Sequence, residues 1–257
     1  MLRRYYKPFI IIFAVIALME FIVPQQCFAT DDAYTTFVQA NQVYKGTNYS
    51  KAISLYNKAL SLGFAPGGLY YNLGNAYYRN GDLGKAIASY LRARQLLPRN
   101  SDVLENLNTA RSQTIDKIVP NEPPAALRQF LFLYYKFSLD ELLWMTAVLL
   151  AAVFLLLSIY TFFRISPIRS FIKITVIVFV IIGTTAAVKF YNILSHSTAV
   201  ITSKEAVVRA GPGDSYAEIF VIHNGTEIKI LEKKDNSAKI KVDKKKGWIN
   251  VNDIDII

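Results

Sequence analysis

Histidine and cysteine are nearly absent from this chain, and their scarcity removes most familiar chemistry. Two histidines, His196 and His223, and one cysteine, Cys27, occur in 257 residues. Neither histidine stands at metal-ligand spacing from another candidate ligand. No glycine-rich phosphate loop, His-Glu-x-x-His motif or nucleophile elbow occurs, and acids such as Asp82 and Glu105 read as turn and helix-surface residues. The sequence offers no catalytic arrangement, metal site or cofactor site, and it reads as a non-enzyme. Acids are also outnumbered, 19 against 29 bases, for a net charge of +10. The excess is spread along the chain rather than gathered into one stripe, so a nucleic-acid ligand is not indicated.

Apolar residues are abundant at 53 %, above the usual soluble composition of about 45–50 %, and they concentrate in three runs. The first lies in "MLRRYYKPFIIIFAVIALMEFIVPQQCFATDD": Arg3, Arg4 and Lys7, then an apolar stretch from Phe9 to Met19, then small residues to Ala29. This is the layout of a signal peptide over residues 1–29, cleaved after Ala29. Glu20 interrupts the apolar run, which leaves retention as an anchor as the alternative. Cys27 does not follow a lipobox-like sequence. Cleavage leaves 26 basic and 18 acidic residues, a charge of +8, and no cysteine. Disulfides, thiolate metal sites and cysteine nucleophiles are then excluded.

The second run, Leu142 to Phe163, holds 22 uncharged residues, and the third, Ile174 to Val188, holds 15 between Lys173 and Lys189. A membrane span needs about 20 residues, which the third run reaches if its lysines snorkel. The expectation is a transmembrane hairpin with spans at 140–163 and 171–193. A buried core helix is the alternative for the third run. The intervening 164–170 loop carries Arg164 and Arg169, with Lys173 just beyond and no acid, which marks the cytoplasmic side and turns both flanking domains outward.

The stretch "YYNLGNAYYRNGDLGKAIASY" at residues 70–90 mixes small and aromatic residues, and it belongs to a repeat. Laying residues 37–64 over 71–98 matches Asn41 with Asn75, Tyr44 with Tyr78, Ala52 with Ala86, Tyr56 with Tyr90 and Ala59 with Ala93. A shift of 34 is the period of a helix-turn-helix repeat. The second copy resembles the tetratricopeptide repeat at Tyr70, Leu73, Gly74, Tyr77, Ala86, Tyr90, Ala93 and Pro98, and the first is a diverged copy. Small residues let antiparallel helices approach, and the aromatics fill the wedges between pairs. Residues 30–118 are expected to hold two repeats, 36–64 and 70–98, closed by a capping helix from Ser101 to Lys117 that carries Val103, Leu104 and Leu107.

In such an array the first helix of each pair lines the hollow side. Helical phase turns Phe37, Asn41, Tyr44 and Lys45 there in one copy and Tyr71, Asn72, Asn75, Tyr78 and Arg79 in the next. Asparagine can donate to and accept from an extended peptide, tyrosine adds area with a polar tip, and the bases favour an acidic ligand. The alternative is that the tyrosines are packing and the asparagines solvated. Some relatives of this repeat clamp a C-terminal carboxylate with two asparagines and several bases. Asn41 and Asn72 resemble that asparagine pair, whereas Phe37, Asp102 and Asn106 stand where bases should be. The resemblance therefore implies peptide binding without a required carboxylate.

Residues 119–139 form a bridge in which Pro123-Pro124 stops the preceding helix. Leu127 to Phe137 then reads as one interfacial helix with Tyr134 and Tyr135 at headgroup level, or as a partner-binding helix. Ser138 and Glu141 form a capping box at the start of the first span. From residue 197 to 257 the period changes to two, with turns at Gly211-Pro212-Gly213, Asn224-Gly225, Asp235-Asn236 and Lys244 to Gly247. About five short strands in a small barrel are expected. The tail resembles a bacterial SH3-type domain at Val207-Val208-Arg209-Ala210-Gly211-Pro212, Gly225-Thr226 and Gly247-Trp248, although Val207 replaces the usual asparagine. The resemblance implies a shallow groove for peptides or peptidoglycan, with Tyr216 and Trp248 as its aromatics; Trp248 as a plain core residue is the alternative. Lys244 to Lys246 read as a charged hairpin tip.

The complete order of signal, helical repeats, bridge, hairpin and SH3-type tail resembles the BatE, or Bacteroides aerotolerance, family. That resemblance implies a multi-pass protein of the bacterial inner membrane whose repeat and SH3-like domains face the periplasm. It also implies membrane partners with von Willebrand A-type domains, a MoxR-type ATPase, and a scaffold role in envelope or oxidative stress tolerance.

Overall fold

The computed structural model describes residues 31–117, 123–195 and 198–257. The expected signal over 1–29, with Cys27, and the histidine at 196 lie outside the described residues. The described chain is a helical repeat array, two long apolar helices and a C-terminal antiparallel β-sheet of the SH3-like kind, as the periodicities imply.

The array comprises α1 (Asp31–Lys45), α2 (Tyr49–Ser61), α3 (Gly67–Asn80), α4 (Leu83–Leu96) and α5 (Ser101–Ser112). Local chemistry sets the ends. Asn48 and Asn100 cap α2 and α5 by accepting the backbone N–H of Lys51 and Val103. Gly81 ends α3 with φ +88°, a left-handed position that suits glycine. Within each pair the knob is a tyrosine and the hole a small residue: a Cβ on Gly74 would lie 2.6 Å from the Tyr90 ring. Tyr56 and Tyr90 are completely or almost completely buried, which pushes both hydroxyls above the usual phenol pKa.

The capping helix is shorter than expected, stopping at Ser112 rather than Lys117. Thr114 Oγ1 donates back to the Arg111 carbonyl and Lys117 Nζ to the Ser112 carbonyl, ending the helical ladder. Val103 and Leu107 are buried as expected, and Leu104 is exposed.

The β-domain has seven strands, not five: β1 (Thr198–Ile201), β2 (Glu205–Arg209), β3 (Glu218–His223), β4 (Glu227–Lys234), β5 (Ser237–Val242), β6 (Lys245–Asn250) and β7 (Ile254–Ile256). All pair antiparallel in the order β3-β2-β6-β5-β4-β1-β7. The extra count arises because Asn224-Gly225 turns the chain between two strands that do not pair with each other, and because β1 and β7 pair with one another. The β5–β6 turn is Asp243-Lys244, with Asp243 at φ +51°, so Lys245 and Lys246 lie within a strand instead of at a tip. Alternate residues such as Val208, Ile222, Ile240 and Ile249 fill the core.

The array and the β-domain belong to one compact unit, and residues 129–191 to another. In the latter, α8 (Leu139–Phe163) and α9 (Ile168–Ser195) are long and apolar enough to cross a membrane. Little of either helix is buried, unlike the core helices of a soluble domain. Their threonines, Thr146, Thr161, Thr175, Thr184 and Thr185, return their hydroxyls to carbonyls four residues back. Ser138 and Glu141 form the expected capping box. The connection is shorter than 164–170, because α9 starts directly after Pro167.

The bridge is two short helices, α6 (Ala125–Phe130) and α7 (Phe132–Lys136), rather than one. The second restarts on the Leu131 carbonyl, which accepts from Tyr134 and Tyr135. Lys189 donates to the carbonyls of Tyr134 and Phe137 at the C-terminal end of α7, where it caps the helix.

Candidate functional site

Of the residues expected on the hollow side, the asparagines of α1 and α3 form a repeating network that extends to α5. Asn41 Oδ1 accepts from Tyr56 Oη at 2.7 Å and from Asn72 Nδ2 at 2.9 Å. One repeat later, Asn75 Oδ1 accepts from Tyr90 Oη at 2.7 Å and from Asn106 Nδ2 at 2.9 Å. Asn106 also donates to Tyr71 Oη, and Gln113 donates to Tyr78 Oη. The asparagine carbonyls thus satisfy buried tyrosines.

Tyr44, Asn75, Tyr78 and Arg79 do come together, lining one pocket of about 180 Å³ with Tyr90, Asn106 and Thr109. Asn41 and Asn72 form the adjoining rung of the network. Phe37 is instead held at the far end of the array, against Phe64 at 5.2 Å and Tyr56 at 6.1 Å. Lys45 is exposed in the last turn of α1. Thr109 and Gln113 of the α5 segment join this side as well, and Asn106, expected only at a vacant basic position, is an integral rung of the network. The signal was there: Asn106 is Asn72 carried forward by another 34 residues.

The outer side is occupied. Val200 of β1 is fully buried in a cluster with Ala86, Ile87, Ala88, Leu91 and Leu107. Gly84 N–H donates to Asn224 Oδ1 at 2.6 Å, and a Cβ on Gly84 would lie 2.2 Å from the Ile201 carbonyl oxygen. Gly225, at φ +85°, offers a similarly bare backbone to Thr114 and Ile87. Arg92 binds Asp255 through both terminal nitrogens at 2.9 and 2.5 Å and also the Ile256 carbonyl. The Asp255 hydrogen bond raises the Arg92 pKa against the opposing effect of burial. Arg111 forks onto Glu227 at 2.6 and 3.0 Å.

Asp116, just past α5, accepts from the His223 backbone N–H and from Thr226 Oγ1, each at 2.7 Å. Its other oxygen lies 3.1 Å from His223 Nδ1. Burial works to raise the Asp116 pKa, but these donors outweigh it and hold the carboxyl below its ordinary value. A larger open cleft of about 510 Å³ lies at the Arg92–Asp255 pair and is lined also by Tyr70, Tyr77, Lys85 and Thr202. Its cations are engaged internally, Arg92 with Asp255 and Lys85 over the Tyr77 ring.

On the β-domain, Trp248 is only partly buried and stays out of the core, with Lys239 Nζ 5.8 Å from its ring centroid. It stands opposite Arg209, which pairs with Asp214 and Glu218 on either side of Tyr216 in the chain. Tyr216 is half exposed, and its ring lies over Gly211, where a Cβ would come within 2.4 Å.

These features define a protein with two interaction modules, a helical repeat array and an SH3-like sheet, joined through two apolar helices. Residues 68–100 match the tetratricopeptide repeat, and residues 204–255 match the bacterial SH3 domain. No curated protein matches the chain. Both modules are typically non-catalytic, the first associated with protein partners and the second with cell-wall binding.

Proposed function

We propose that this chain is a membrane-anchored scaffold of the BatE type, with both modules on the periplasmic side of the bacterial inner membrane. Its repeat hollow captures a segment of a partner membrane protein bearing a von Willebrand A-type domain, in an envelope-stress complex served by a MoxR-type ATPase. The observation that carries this reading is the division of the array's two sides. The outer side is taken up by the β-domain, whereas Tyr44, Tyr78 and Arg79 line an open pocket on the hollow side.

Arg79 is exposed and stands apart from the asparagine network, so it can be changed without removing a buried hydrogen bond. A mild-detergent pull-down from native membranes should recover the von Willebrand A-type partner with the unaltered chain and with Lys58→Glu. Arg79→Glu should reduce recovery at least fivefold. Equal recovery with Arg79→Glu means the hollow is not the working surface. The second reading, an anchor that binds peptidoglycan through the β-domain, is favoured by the placement of Trp248 outside the core; there Trp248→Ala should release the protein from isolated cell wall.

A further inference from the structure

Strand register places three lysines in one row on the outer surface of the β-domain. Lys229 of β4 stands opposite Lys241 of β5, and Lys241 stands opposite Lys246 of β6. All three are exposed. Directly opposed like charges destabilise a sheet, and neighbouring strands are only about 4.8 Å apart. None of the three forms an ion pair among the described residues. The next row shows how such strain is usually relieved, with Glu232 opposite Lys239 and the Lys239 ammonium over Trp248. Leu231, bulged out between Ile230 and Glu232, adds an exposed apolar side chain near the row. The surface is complementary to an anion supplied from outside.

Its place in the chain identifies the source. Thr198, the first residue of β1, stands opposite Lys229, so the row begins where the chain enters the β-domain. The apolar helix α9 ends at Ser195. Three residue steps of extended chain reach at most about 11 Å, which ties this end of the sheet to the end of that helix. Two residues along β4, Glu227 is already covered by Arg111 of the array, so the row lies just outside the interdomain contact.

We propose that Lys229, Lys241 and Lys246 dock onto the anionic phosphodiester headgroups of the bilayer that holds α8 and α9. This rests on the membrane reading above. Acidic wall polymers share the chemistry, and the covalent closeness of the row to α9 selects lipid. Each lysine near an anionic surface strengthens its attraction by about fivefold, and salt screens the effect.

The test uses the full chain in nanodiscs of neutral phosphatidylcholine or of phosphatidylcholine with phosphatidylglycerol. Acetylation by an uncharged amine reagent is followed lysine by lysine with mass spectrometry, Lys51 and Lys58 of α2 serving as internal references. The three row lysines should react at least threefold more slowly in the anionic discs, recover in high salt, and leave the references unchanged. Equal rates in the two discs overturn the proposal, as does slowing in neutral discs on addition of soluble polygalacturonate without slowing in anionic discs. Failure of the chain to enter either disc, read by co-elution, overturns the membrane reading and this proposal with it, an outcome distinct from equal rates in inserted protein.

Discussion

Asn75 uses one carbonyl oxygen twice, for the buried Tyr90 hydroxyl and for the Asn106 amide. Its replacement by alanine strands the Tyr90 hydroxyl in a site that is 1 % exposed. Leaving a buried polar group unpaired costs about 1–3 kcal/mol, whereas removing both partners costs less. Asn75→Ala should therefore lower the unfolding free energy by that amount in chemical denaturation, and adding Tyr90→Phe should recover part of it. A coupling near zero in that double-mutant cycle refutes the network. Asn41→Ala carries the same liability through Tyr56, so neither asparagine gives a clean test of binding. Asp116 sets a pH dependence. Its carboxyl is depressed below its ordinary 3.8 by donors from His223 and Thr226. The stability it gives is complete above the unfolded-state value and is lost as pH falls through the lower folded value. The thermal midpoint should thus fall more steeply below about pH 4 in the unaltered chain than in Asp116→Asn. Parallel curves in the two proteins mean that the contact contributes nothing.

At the scale of elements, α2 and α4 are equivalent helices with different outer faces. Ser50, Ser54 and Asn57 in the first become Gly84, Ala88 and Leu91 in the second, and the latter three are buried beneath the β-domain side of the array. Helix propensity alone says that Gly84→Ala should stabilise by up to about 1 kcal/mol. The Ile201 carbonyl, 2.2 Å from the new Cβ, says the reverse, since overpacking costs about 1–3 kcal/mol. We expect faster amide hydrogen exchange in β1 and β7 with α1 and α2 unchanged; slower exchange in β1 shows that propensity wins.

The same comparison shows what was legible. Repeat spacing exposed Tyr56, Tyr90 and their small partners, because intramolecular packing recurs with the period. The β-domain contact does not recur, so it left only a one-sided loss of polarity on α4, visible once the copies are aligned. The Lys229, Lys241 and Lys246 row was unreadable for another reason. It depends on register across three strands, which a bulge after Ile230 shifts and local pattern does not specify.

At the scale of the whole molecule, connectivity and contact constrain each other. The array precedes α8 and the β-domain follows α9, yet Arg92 pairs with Asp255 and Arg111 with Glu227. Two segments that touch must lie on one side of any membrane the chain crosses. A single crossing would separate them, and two return the chain to its starting side. In the membrane topology proposed above, the basic 164–170 segment lies on the opposite, cytoplasmic face. In a Cys27→Ser background, a cysteine at Ser112 and one at Asn236 should both react with an impermeant maleimide applied outside the inner membrane. A cysteine replacing Ser166 should react only after that membrane is opened. All three positions are exposed, so access reports sidedness rather than burial. Labelling at Ser112 and Asn236 from opposite sides would exclude the interdomain contact in the membrane-bound protein. Labelling at Ser166 from the same side as the other two would show that α8 and α9 do not cross, and would leave the headgroup docking of the lysine row without its bilayer.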